Sequence, residues 1–200
     1  MKDPRSENEK CCLQWQQLTR PADFIPHNEI ERVNLRGQKL REFNLESLNF
    51  NGAYLNGVDF RHSRLNDAHL IESFCAGAIF TGANLSGANF KGAGLYTADF
   101  SGANLTDSVL TGVDLRFVRG NGLEIKSMNV DKWIIVWTSD VLAIGCQQHS
   151  IEKWRKASNR WITTLDIDAL KWWKKYRDFV FSAIDTFPAT GKVLDTSENI

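Results

Sequence analysis

The sequence predicts a mainly β protein built on a solenoid with helical caps, and three observations predict it. A leucine or phenylalanine recurs at every fifth position, as in GANLSGANFKGAGLYTADFSGANL over residues 82–105. A small residue stands two places before most of them, and glycine recurs two places after. Five residues advance about 500° on a helix, so these side chains would form no stripe. An odd period on a flat strand throws alternate side chains to opposite faces. The chain must therefore turn a corner within each repeat.

Composition sets the bounds. Of 200 residues, 42% are apolar and 11% aromatic, enough for one or two small domains with a real core. Lysine plus arginine equals aspartate plus glutamate at 24 each, so no global field attracts nucleic acid or imitates it. The opening MKDPRSENEK is charged and no apolar run reaches about 18 residues, which predicts a soluble, cytoplasmic chain without membrane association. Cys11, Cys12, Cys75 and Cys146 follow no disulfide framework, and reduced thiols are expected.

Residues 1–32 are read as a tail and helical cap. Ser6 with Glu9 fits a capping box for a short helix carrying Leu13, Trp15 and Leu18, which makes residues 6–19 the expected lid on the first coil. Residues 33–119 are the repeat segment. Its register runs unbroken from Leu35 to Leu115 through seventeen positions, sixteen of them Leu or Phe and the other Cys75. The small column holds Ala53, Ala68, Ala78, Ala83, Ala88, Ala93, Ala98 and Ala103, with Ser63, Ser73 and Ser108. At the N-terminal end Val33, Gln38, Phe43 and Leu48 replace the small residues, which suggests a first coil splayed around its cap.

The pattern A-(D/N)-L-x-x over residues 33–115 closely resembles the pentapeptide-repeat family. The resemblance implies a right-handed quadrilateral β-helix with four units per coil. Folding the sequence at that coil length stacks Leu40, Phe60, Phe80 and Phe100 on one wall and Leu45, Leu65, Leu85 and Leu105 on another. Like then lies on like, and Cys75 within a leucine stack reads as a small hydrophobe.

Residues 120–188 form a different module. Asn121-Gly122 marks a turn, and six of the seven tryptophans lie between residues 133 and 173. KWIIVW and VLAIGC read as two strands of a β-hairpin laid over the rod's C-terminal end, with Trp133, Ile135 and Trp137 on one face. Ser150 is placed to cap a short helix, IEKWRKA, and Asp166 to cap a longer one through about Phe187. On the latter Ile167, Leu170, Trp173, Val180, Ile184 and Phe187 share a core face. Residues 189–200 read as a frayed polar tail. DVLAIGCQQHSIEKW with ALKWWKKY also resembles the C-terminal extension of phage and prophage pentapeptide-repeat proteins, which implies an origin and no activity.

Three places hold candidate chemistry. Cys146 and His149 are three residues apart at an expected strand-to-helix junction, where a thiol of lowered pKa beside an imidazole would make a nucleophile. The plainer reading packs Cys146 into the core and gives His149 to the helix start. Zinc needs three or four ligands, and none is expected here, nor any cofactor. The second place is residues 153–177, with eight cations against Asp166 and Asp168 and with tryptophans interleaved. Lys153, Trp154, Lys171, Trp172, Lys174, Lys175 and Arg177 are the candidate binding residues for an acidic protein, for nucleic acid through phosphate contacts and stacking, or for nothing if the face is merely solvated. Trp172 decides, because it lies off the apolar face. The third is the rod: resemblance to the quinolone-resistance members implies DNA mimicry toward gyrase, but residues 31–115 carry nine acids against seven bases, too weak a negative charge.

The expected function is a non-enzymatic interaction protein or scaffold that binds another protein, a host factor if the chain is phage- or prophage-encoded. DNA mimicry, nucleic-acid binding through residues 153–177 and a thiol enzyme using Cys146 and His149 are the alternatives. A homodimer through the head would bury surplus tryptophan.

Overall fold

The protein is described by a computed structural model over residues 33–193. The lid expected at residues 6–19 lies outside the described residues.

Each five-residue unit closes a turn in which the carbonyl of the large inward residue accepts from the N–H three places on, as in Gln38 N to Leu35 O at 3.0 Å and Ala78 N to Cys75 O at 3.0 Å. The residue two after the large one is left-handed, with φ +66° at Gly82 and +65° at Gly102. That conformation favours glycine and explains the glycine column. The Asn/Asp column has an equally local cause. Asn49 Oδ1 accepts from Asn51 N at 3.0 Å, Asn89 from Lys91 N at 3.0 Å and Asp99 from Ser101 N at 2.8 Å, so the side chain ties down the turn that follows it.

Parallel bridges join residues twenty apart and fall into four ladders, among them Asn34–Tyr54–Phe74–Gly94 and Lys39–Asp59–Ile79–Asp99–Arg119. The large residues point inward and stack on their counterparts. Phe80 lies parallel to Phe60 at 5.2 Å and 5° and to Phe100 at 4.9 Å and 10°, while Phe90 meets Phe80 and Phe100 edge-on. Ser63 and Ser73 occupy small inward sites by donating to Phe60 O at 2.6 Å and Leu70 O at 2.7 Å. Cys75 is buried, and desolvation pushes its thiol up to about 12.

The first coil is not splayed. Leu35, Leu40, Leu45 and Phe50 donate to Tyr54, Asp59, Arg64 and His69 carbonyls at 2.7–2.9 Å, in the register of every later coil. The larger residues fit because Gln38 and Phe43 stay half exposed.

The expected hairpin is the centre of a four-stranded antiparallel sheet. β1 (Lys126–Val130), β2 (Trp133–Trp137), β3 (Val141–Ile144) and β4 (Gln147–Ser150) pair in chain order. The outer strands lack a continuous apolar pattern, and β4 is the polar QQHS. Period-two alternation divides β2 and β3 between two layers. Ile134, Val136, Val141 and Ala143 pack with the rod interior, whereas Ile135, Trp137, Leu142 and Ile144 pack with the helices. The sheet is thus the rod's C-terminal cover, which a solenoid requires at its open end. Gln148 completes it: its Oε1 accepts from Leu115 N at 2.7 Å and its Nε2 donates to Val113 O at 2.8 Å, satisfying last-coil backbone that has no further coil to pair with.

Three helices follow: α1 (Ile151–Arg155), α2 (Asn159–Ile162) and α3 (Ala169–Thr186). Ser150 caps α1 as expected, accepting from Lys153 N at 3.2 Å, and Ser158 caps α2 in the same way through Trp161 N. Asp166 does not cap α3. Its carboxylate accepts from Asp168 N at 2.9 Å in a turn, Asp168 becomes the cap residue, and Lys132 draws the Asp168 carboxylate away at 2.8 Å. Trp173, Val180 and Ile184 are on the core face as expected, which loses only its two end residues. Ala169, Trp172, Trp173, Val180, Phe181 and Ile184 are buried, while Ile167 is 97% and Phe187 60% exposed.

Residues 189–193 are not frayed. Val193 is buried in the rod cluster, its carbonyl accepts from Gly112 N at 2.7 Å, and its N–H donates to Asp140 at 3.1 Å. Gly191 runs so near Glu124 that an added Cβ would sit 2.6 Å from that carbonyl oxygen. Alternation of small and apolar residues in PATGKV was the overlooked signal.

Candidate interaction surfaces

The structure separates the cationic residues proposed from sequence. Lys171, Lys174 and Lys175 lie on the solvent side of α3, and Lys175 sits 4.8 Å from the Tyr176 ring. Lys153 is on α1, its Nζ donating to His149 Nδ1 at 3.1 Å and lying 5.1 Å from the Trp161 ring. Arg177 donates to Arg155 O at 3.3 Å. Acids outside the counted segment offset several cations: Arg155 pairs with Asp185 at 2.5 Å and Lys156 with Glu152. The excess of six positive charges therefore overstates the field.

The two candidate tryptophans face inward, while Trp133 and Trp161 are half-buried. Trp154 is 2% exposed and donates to Leu142 O at 2.8 Å; Trp172 is 3% exposed and donates to Val130 O at 3.2 Å. Neither offers a face for a base, so the nucleic-acid reading loses its stacking platform. The surplus tryptophan that suggested a head-to-head dimer is spent within the protomer: Trp137 and Trp173 are buried as well.

Cys146 and His149 do not come together. Cys146 is exposed in the tight β3–β4 turn, not at a helix start and not in the core. His149 is opposite Leu142 on the helix side of β4, edge-on to Trp161 at 5.2 Å. Burial first, and then the Lys153 ammonium, hold its imidazole below the usual range. A neutral imidazole whose Nδ1 is already taken by Lys153 is poorly placed as a base for Cys146. Site-resolved alkylation is expected to label Cys146 at the rate of an ordinary exposed thiol, unchanged in His149→Ala, and to leave Cys75 unlabelled in the folded protein. A several-fold slowing in His149→Ala would restore the coupled pair.

The surface that sequence reasoning missed is on the rod. On its outward columns Tyr54 and Phe74 stack at 5.0 Å and 13°, with the Arg36 guanidinium 4.1 Å above Tyr54. Phe74 is 49% exposed, because its ladder neighbour in the next coil is Gly94, which has no side chain to cover it. In the adjoining column Tyr96 is 42% exposed, packs edge-on to Phe117 at 5.3 Å and lies 5.8 Å from the Arg116 guanidinium. Arg116 in turn reaches Cys146 O at 3.4 Å, so the stripe ends at the head. The available signal was the aromatic content of outward sites, hidden by the stronger inward period.

Pentapeptide repeats, in eight copies, match residues 30–67, 59–95 and 95–119. The repeat segment belongs to the pentapeptide-repeat family. No curated protein matches the chain. Among solved structures it is similar to the pentapeptide repeat protein Rfr23 from the cyanobacterium Cyanothece 51142, at 26% identity over 47% of this chain and 65% of that one, TM-score 0.24. It is similar to HetL, a pentapeptide repeat protein involved in heterocyst differentiation regulation in Nostoc, at 26% identity over 44% and 56%, TM-score 0.23. A pentapeptide repeat protein of the Arabidopsis thaliana thylakoid lumen matches at 27% identity over 52% and 72%, TM-score 0.29. The chain thus spans less than two thirds of the two cyanobacterial proteins.

The pentapeptide-repeat rod also pairs several of its own acids. Asp59 receives Arg61 at 2.8 Å and Arg41 at 2.5 Å, Glu46 receives Arg64 at 2.7 Å, and Asp114 receives Arg116 at 2.6 Å. Among the described residues no cluster of His, Cys, Asp or Glu is arranged to hold a metal ion, and no helix is long and apolar enough to cross a membrane.

Proposed function

We propose that this protein is a non-enzymatic interaction scaffold, a right-handed four-sided pentapeptide-repeat rod that presents its aromatic–arginine stripe to a protein partner. The observation that carries the reading is the stripe itself: Phe74 and Tyr96 exposed at 49% and 42% beside the half-buried Tyr54 and Phe117. Aromatic and arginine side chains dominate the energetic centres of protein interfaces. A rigid β-helix holds them without an ordering cost on binding. DNA mimicry draws less support, because Glu46, Asp59, Asp99 and Asp114 are paired with arginines of the rod itself.

Deleting residues 120–200 would be a poor test, since Val136, Val141, Ala143 and Val193 close the rod's interior. Surface variants of the full chain avoid this. Crosslinked or affinity-captured partners are expected to be lost from Phe74→Ser/Tyr96→Ser, with about 2 kcal/mol or more of binding removed per central aromatic, and retained by Lys171→Glu/Lys174→Glu. Loss confined to the lysine variant would move the interface to the head and end the stripe reading.

A further inference from the structure

The helical side of the head holds a partly open cavity of about 60 Å³ that none of the described residues fills. One water needs about 10–15 Å³ on this measure, so the space suits a group of about four or five heavy atoms. Its walls are two tilted indole pairs: Trp133 with Trp172 at 4.7 Å and 48°, and Trp154 with Trp173 at 5.4 Å and 35°. It reaches the surface at two exposed residues, Asp166 and Cys146. Asp166 is the one acidic residue in the lining, and no lysine or arginine lines it. Lys132, the nearest cation to Trp133 at 5.2 Å from its ring, is paired with Asp168.

These features sort the ligand chemistries. An anion would meet a carboxylate and no cation. A primary ammonium needs three acceptors, and the lining offers one charged one. The indole N–H groups of Trp154 and Trp172 are spent on backbone carbonyls, so those side chains contribute ring surface and not donors. A methylated ammonium needs no acceptor, is attracted by indole faces, and gains from one carboxylate at the mouth.

We propose that this cavity binds a quaternary ammonium group. The site is independent of the rod stripe, so either assignment can fail alone.

The test is titration of the full chain with choline, followed by tryptophan fluorescence at fixed ionic strength, beside its neutral carbon isostere 3,3-dimethylbutan-1-ol. Choline is expected to saturate the signal and to bind at least about tenfold more tightly than the isostere. Asp166→Asn, at an exposed turn, is expected to keep the thermal melt while weakening choline about fivefold and leaving the isostere unchanged. Trp133→Leu should weaken choline as well. Equal binding of choline and isostere would reduce the cavity to apolar volume and overturn the proposal; so would absence of saturation by choline at tens of millimolar. A peptide carrying trimethyllysine, compared with free trimethyllysine, then separates the sources. Tighter binding of the peptide assigns the group to a protein chain, and equal binding assigns it to a small molecule.

Discussion

Phe80→Ala is expected to destabilise the protein by about 3–5 kcal/mol, a large part of the stability of a domain this size. Phe80 is fully buried, and it is the only ring of its stack with a parallel phenylalanine on both sides. Truncation removes the ring's transfer energy, leaves a cavity the stiff coils cannot collapse around, and breaks two stacked and one edge-on contact at about 0.5–1.5 kcal/mol each. Phe80→Leu keeps most of the volume and should cost about 1–2 kcal/mol. Urea unfolding with a common slope measures both. A loss under about 1 kcal/mol for the alanine variant would mean that the interior is not packed as described.

That variant also tests how the two layers are joined. The rod and head share one hydrophobic cluster through Val136, Val141 and Ala143, and Gln148 bonds the last coil. A defect at Phe80 should therefore shift the fluorescence transition of the head tryptophans as far as it shifts the far-ultraviolet transition of the rod. Domains joined only by a linker would show two transitions, the tryptophan one unmoved.

What could be read in the sequence was what repeats. The inward column, the glycine turns and the Asn/Asp turns are local in cause, so seventeen successive units spell them out. The head has no second copy of any part. β4 is the polar QQHS, which pairs with β3 across a two-residue turn and whose Gln148 is set by the open end of the rod, more than thirty residues earlier in the chain. The missing side-chain cap of α3 follows from Lys132, thirty-six residues earlier, taking the Asp168 carboxylate. The binding residues failed for a related reason. Charge counts along residues 153–177 cannot see Asp185 and Glu152, which lie just outside the window and pair with Arg155 and Lys156. Conversely, Phe74 is exposed because Gly94 is its neighbour in space, and that needs the coil length as well as the sequence.

The clearest division between core and surface in the head comes from Trp154 and the α3 lysines. Trp154→Ala is expected to cost about 3–5 kcal/mol. Its indole touches the rings of His149, Trp161 and Trp173 at 5.2–5.7 Å, and its N–H is the donor for Leu142 O at 2.8 Å in the centre of the sheet. Removing it empties the middle of the helical layer and strands a buried carbonyl, which alone costs about 1–3 kcal/mol. Trp154→Phe retains the ring stack and loses the donor, so it should fall between wild type and alanine. Lys171→Glu, Lys174→Glu and Lys175→Glu, by contrast, sit on the solvent side of α3 and should each stay within about 0.5 kcal/mol of wild type. The five variants unfolded side by side in urea decide whether Trp154 is packing or a surface contact. If Trp154→Ala proved as mild as the lysine changes, its indole would have to lie at the surface, and the sheet-to-helix packing that positions the ammonium cavity would be wrong with it.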